Sequence, residues 1–391
     1  MLKKNTLFNS NLRLNVVLVL MLAAVLLLPI FKGGNYPGAL AIFILTSGLI
    51  FLLSVSDFDA ERDQPWLIVW LVFTVAVLAH ALVYPLVFVN ERFFINGLEP
   101  KVADELNSRY LSRMRMIEVW SFFTSMWIFA WRTSVLSFNA VKMMLLALFL
   151  SSFFQAFYGV AQFILGTSNV LGLWVKEFYL ADATGTFVNR NHFSGMLAVS
   201  SPLVLSGLLM PKPLILPSLA KSGRLIIAGI YLAVLILALI SSHSRMGLAV
   251  AVVGLITCYF LMNRLVAGSG KVFAKLKFVF VLLSLMLFAI WFGVGDILQR
   301  YTDLGDGSSR FDVWSVMFSK MSFDVWLYGA GPGSFEYVFQ VIKPNNFLVR
   351  FVYAHNDYLE FVFEFGLLFT CLLYTSPSPR DLSTSRMPSS A

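Results

Sequence analysis

Charge is scarce in this chain: only 13% of its 391 residues are Asp, Glu, Lys or Arg, against 58% hydrophobic. A soluble domain carries about a quarter charged residues, so a water-soluble globular protein is excluded and lipid is the solvent this composition needs. Cysteine is scarcer still. The two present, Cys258 and Cys371, lie within apolar runs, which argues against a zinc cluster, an extracellular disulfide framework and redox chemistry through sulfur. The excess of 29 Lys and Arg over 21 Asp and Glu is distributed between the apolar runs, where it reads as a topology signal and not as a nucleic-acid surface. No repeat of solenoid period is visible.

What the sequence does have is apolar length. About ten runs approach the roughly 20 residues a spanning helix needs, and they must be helices because an open sheet edge leaves backbone groups unsatisfied in lipid. They cover residues 14–31, 37–56, 66–89, 117–131, 141–165, 193–210, 225–240, 246–262, 278–294 and 358–374. The first follows Lys3, Lys4 and Arg13 without a small-residue cleavage site, so it is expected to be a retained helix. The run 117–131 is short and rich in Trp and Phe, which read as interface anchors.

The expected fold is therefore all-α: a polytopic integral membrane protein with one long external segment, 295–357, between the last two helices. It divides into N-terminal transmembrane helices, 1–184, and a region 185–375 that carries the polar motifs. The Ser-, Pro- and Arg-rich stretch 376–391 breaks off an apolar run in mid-helix and reads as a non-native tail, such as translated adapter or vector sequence.

Basic loops set the orientation. Lys212, Lys221 and Arg224 occupy one connection, and Arg264, Lys271, Lys275 and Lys277 another on the same side, which should be cytoplasmic. Counting back puts the amino terminus in the cytoplasm as well. The loop 91–116 falls outside despite Arg92, Lys101, Arg109, Arg113 and Arg115: either the run 117–131 is not a spanning helix, or these cations act outside, where long translocated segments obey the charge rule poorly.

This topology gathers the polar residues at the external face. Three helices enter the membrane from there, beginning near Asn191, Ser244 and Asn356, each with a capping residue that leaves N–H groups and partial positive charge pointing outward. Beside them stand Arg190 and His192, then His243 and Arg245, then His355, with Arg310 on the external segment. Cations at helix amino ends suit a doubly or triply charged anion, and a pyrophosphate fits better than a carboxylate. The plainer alternative is that these Arg and His side chains snorkel to lipid headgroups. An imidazole close to a positive helix end and to arginines is kept neutral, as a general base must be, which singles out His355.

Other polar features are weaker. Glu364 lies nine residues after His355, on the opposite side of a continuous helix, so it is expected to pair with a cation on a neighbouring helix. Gly329, Gly331, Pro332 and Gly333 permit a tight turn, either structural or with amides facing an anion. The turn lacks the Lys-Ser/Thr ending of a nucleotide-binding loop. Asp57 and Asp59 form a D-x-D pair that the topology places in the cytoplasm, where it reads as a solvated loop and not as a metal site.

The motifs GTFVNRNHFSGML, SSHSRMGLA, SSRFDVW, LYGAGPGSF and HNDYLEFVFEFG occur in this order between about Gly185 and Gly366. In them the chain resembles the O-antigen ligase and polymerase family. The resemblance implies a GT-C-like glycosyltransferase of the bacterial inner membrane, working on the periplasmic side without metal, cofactor or nucleotide sugar. Its donor would be a glycan on undecaprenyl pyrophosphate, and its acceptor lipid A core, a growing glycan or a protein hydroxyl. The family's arginines and histidine fall on Arg245, Arg310 and His355, implied as catalytic. Arg190, Asn191, His192, His243, Asn356, Gly331 and Gly333 remain candidates for substrate binding. The family usually continues with further helices, whereas here the apolar run ends in the tail. A transporter of lipid-linked saccharide is the rival class, but it favours internal repeats and polar residues near the bilayer midplane, whereas this sequence shows no internal repeat and few charges deep within its apolar runs.

Overall fold

A computed structural model describes residues 10–34, 36–88, 113–265, 310–344, 347 and 350–375. In chain order the α-helices are α1 (Ser10–Leu27), α2 (Pro37–Ser54), α3 (Gln64–Phe88), α4 (Arg113–Ser134), α5 (Phe138–Leu165), α6 (Arg190–Leu209), α7 (Lys221–Ser241), α8 (Arg245–Leu265), α9 (Arg310–Lys320), α10 (Phe323–Tyr328), α11 (Phe335–Ile342) and α12 (Asp357–Tyr374). A two-residue ribbon, β1 (Asn169–Val170) with β2 (Trp174–Val175), lies between α5 and α6. The chain forms two compact units, each drawn from two stretches: 10–54 with 132–265, and 55–131 with 310–375.

Among the described residues seven helices are long and apolar enough to cross a membrane: Asn11–Ile30, Pro37–Asp57, Gln64–Leu82, Phe138–Leu165, Arg190–Leu209, Lys221–Ser241 and Arg245–Met262. Each coincides with an expected run, and the protein is an all-α polytopic membrane protein. The run 117–131 falls within α4 and 358–374 within α12, neither of which is among the seven. The run 278–294, the cations Lys3, Lys4, Arg92, Lys101, Arg109, Lys271, Lys275 and Lys277, and the tail 376–391 lie outside the described residues.

In the first unit α6 packs along α8, and α5 against α1, α6 and α7. Small residues allow the approach, as expected where lipid gives no hydrophobic drive between helices. A Cβ on Gly247 would overlap the Ser194 side chain, and one on Gly254 would press on Pro202. Pro202 cannot donate within α6, and the Ser201 hydroxyl donates at 3.3 Å to the carbonyl of Ala198, four residues before the proline.

The second unit pairs α3 with α4 through indoles. Trp70 Nε1 donates to Thr124 Oγ1 at 3.1 Å, Trp120 Nε1 to Thr74 Oγ1 at 3.0 Å, and Trp127 Nε1 to the Trp66 carbonyl. Trp120 and Trp127 belong to the run read as interface anchors, and their indoles also tie α4 to α3, because an N–H in an apolar setting takes the nearest acceptor. The short helices α9, α10 and α11 enclose a core of Val313, Met317, Val338, Phe339, Phe351 and Phe363, the last on α12.

The sequence suggested that α12 is continuous, but it breaks at Gly366, whose φ of 74° is left-handed. The cause lies upstream. Gly366 and Gly329 approach so closely that a Cβ on either would overlap the other's backbone neighbours. The break frees the carbonyls of Phe363 and Glu364, which accept from Ala330 N at 2.6 Å and Gly331 N at 2.9 Å.

Candidate active site

In the first unit two helix mouths lie side by side. α6 begins at Arg190, and its cap is Asn189, not Asn191: the Asn189 side chain accepts from Asn191 N at 2.8 Å. The Asn191 side chain turns to α8 and accepts from Ser244 Oγ at 2.9 Å, while Ser244 Oγ itself accepts from Gly247 N. Ser194, beside Gly247, closes the contact. The mouths near Asn191 and Ser244, expected to share a face, are thus hydrogen-bonded neighbours. His192 and Arg245 are exposed there.

Sequence reasoning missed the residue that organises this surface. Asp182 splits its carboxylate between Arg190, with Nη1 on Oδ2 at 2.9 Å, and His243, with Nδ1 on Oδ1 at 2.7 Å. Buried Lys176 donates Nζ to the Asp182 carbonyl at 2.8 Å. Burial pushes the lysine's pKa down, with the Asp182 charge opposing. The Arg190 guanidinium lies over the Tyr179 ring at 5.2 Å. Arg190 and His243 therefore face a carboxylate of the protein itself, which lowers their attraction for a diphosphate. The available signal was Asp182 as the one charged residue in 178–189, just before Arg190.

In the second unit α9 opens with Arg310, and one turn on Trp314 lies on the same side of the helix. Trp314 Nε1 donates to the Ala354 carbonyl at 2.8 Å, so α9 is docked on the residue before His355. This gives the R-x-x-x-W spacing a physical meaning: the indole seats the helix, and the guanidinium is carried to the histidine. Burial and then the Arg310 charge hold the His355 pKa below the usual imidazole value of 6.5. Asn356 caps α12, accepting from Tyr358 N at 3.1 Å and Leu359 N at 3.2 Å. The Glu360 carboxylate receives Ala354 N at 2.8 Å, fixing the turn from below.

His355 and His243 share a backbone setting. Each has a positive φ, 56° and 49°, immediately before the residue that caps a helix. Left-handed backbone is uncommon for a residue with a side chain, and it concentrates at working sites.

The glycine turn differs from the reading in which its amides bind substrate. Gly333 N and Phe335 N donate to the Glu364 carboxylate at 2.8 and 3.1 Å, and Gly331 N donates to the Glu364 carbonyl. The anion these amides face is the protein's own. Amides are thus among the partners of Glu364, because the break at Gly366 turns this part of α12 towards the turn. At the D-x-D pair, Asp59 Oδ1 accepts from the amides of Glu61 and Arg62, and Arg62 Nη2 donates to the Asp57 carbonyl, a closed loop in keeping with the structural reading. Among the described residues no group of three or more His, Cys, Asp or Glu side chains is placed to hold a metal.

Helical spans and polar helix mouths define a polytopic membrane protein. Residues 230–374 match the family model described as O-antigen ligase, a stretch that holds His243, Arg245, Arg310, Gly331, Gly333, His355 and Asn356. The match supports a glycosyltransferase-like role in polysaccharide assembly at a membrane. No curated protein and no solved structure matches the chain.

Proposed function

We propose that the protein transfers a glycan from undecaprenyl pyrophosphate to an acceptor hydroxyl, at the periplasmic face of a bacterial inner membrane. The observation that carries this reading is the docking of α9 through Trp314 onto the turn of His355, where burial and then Arg310's charge lower the histidine's pKa. A depressed pKa keeps the imidazole neutral at working pH, ready to accept a proton.

In the proposed step the acceptor O–H gives its proton to His355 as its oxygen attacks the anomeric carbon. The bond from that carbon to the phosphate oxygen breaks with inversion, and undecaprenyl pyrophosphate leaves with the bonding pair. Arg310 stabilises the charge that grows on the leaving group, so its effect is largest in the transition state. The acceptor proposed is lipid A core, which makes the protein ligase-like.

The test is reconstitution of the chain in liposomes with lipid-linked glycan and lipid A core. A new glycosidic bond on the acceptor is expected. Glycan crossing the bilayer with no new bond would overturn the reading in favour of a transporter, and elongation of the lipid-linked glycan itself would reassign the acceptor.

A further inference from the structure

The group around Asp182 has a chemistry of its own. A carboxylate only accepts, so a neutral His243 must carry its proton on Nδ1, and its Nε2 presents a lone pair. The His243 side chain is 53% exposed, whereas Asp182 is 11% exposed and Arg190 22%. Asp182 is fixed from several sides: Arg190 holds one oxygen, Lys176 holds its carbonyl, and the next residue, Ala183, donates its amide to the Ser241 carbonyl at 2.8 Å. Aromatic rings flank the group, with Phe163 edge-on to the His243 ring at 6.0 Å and Tyr179 beneath Arg190.

A fixed acid–imidazole–guanidinium set beside exposed Phe163 and half-buried Tyr179 offers acceptors, donors and apolar faces together. That combination fits a saccharide, whose hydroxyls both give and take hydrogen bonds and whose C–H faces rest on rings. A diphosphate fits poorly, because Asp182 repels it and the nearest guanidinium is already paired.

We propose that Asp182 is a positioning residue that fixes the tautomer of His243, whose Nε2 accepts a hydrogen bond from a hydroxyl of the transferred glycan. This deepens the glycosyltransferase reading and rests on it. Asp182 and Arg190 lie outside the stretch matched by the family model.

The experiment compares wild type with Asp182→Asn, Asp182→Glu and His243→Ala, using the lipid-linked glycan pool extracted from host cells and the same glycan freed by mild acid. Asp182→Asn and His243→Ala are expected to raise KM for the lipid-linked glycan by about tenfold, the worth of one hydrogen bond to a sugar, with a smaller fall in kcat. The inhibition constant of the freed glycan should rise in parallel, inhibition by inorganic pyrophosphate should hold, and Asp182→Glu should restore part of the loss.

A fall in kcat with KM and glycan inhibition unmoved would show a structural role and overturn the proposal, as would weakened inhibition by pyrophosphate. Should wild type transfer no glycan, the glycosyltransferase reading fails separately. Binding of the freed glycan to wild type and variants by calorimetry then decides the saccharide site: loss of binding in Asp182→Asn and His243→Ala supports it, and equal binding sinks it.

Discussion

Trp314→Phe isolates the contact on which the second unit's site is built. The substitution keeps a ring and removes one donor, the Nε1–H that holds the Ala354 carbonyl at 2.8 Å. Ala354 is fully buried, so its carbonyl loses that donor away from bulk water. Stranding a buried acceptor costs about 1–3 kcal/mol, which corresponds to a fall in transfer rate of about 5- to 150-fold if the whole cost falls on docking α9 beside His355. The assay is the initial rate of glycan transfer in liposomes across pH, with thermal unfolding in detergent as the control for global damage. Because Arg310 is the second cause of the lowered His355 pKa, a slackened α9 should also move the acid limb of the profile upward. A wild-type rate with an unmoved acid limb would refute the reasoning.

Arg310→Gln should displace the same limb without touching the indole contact. The base works when neutral, and its folded pKa lies below 6.5, so activity should persist under mildly acidic conditions in wild type and fail at higher pH in the variant, as rate profiles would show. The same shift implies that stability rises with pH between the folded value and 6.5, because the unfolded chain binds more protons in that window. Gly366→Ala places a Cβ against Leu327 O at a φ of 74°, and thermal melts should show one of the larger losses available to a point variant, above about 3 kcal/mol.

Seven spans were legible because an apolar run that approaches the length of a spanning helix has few alternatives. The cap at Asn356 was legible because Asn before a run is a local signal. What could not be read depends on distant partners. The stretch FEFGLLF looks like uninterrupted helix, and it breaks only because Gly329, 37 residues earlier in the chain, fits against Gly366. Glu364 has amide partners for the same reason. Asp182 was passed over because a lone carboxylate in a loop has no period or motif, and its weight comes from Arg190 and His243, which folding brings to it. The pairing of the α4 tryptophans with α3 could not be read because it depends on Thr74 and the Trp66 carbonyl, which folding brings across from Trp120 and Trp127.

The most direct test of the central claim is the rate of glycan transfer by His355→Gln in the reconstituted system, with protein amount and melting temperature matched to wild type. A positioned general base contributes about 10²- to 10⁴-fold, so the account predicts a loss of that size with donor binding retained. Transfer within about twofold of wild type would contradict it, because even the low end of that range is fiftyfold larger.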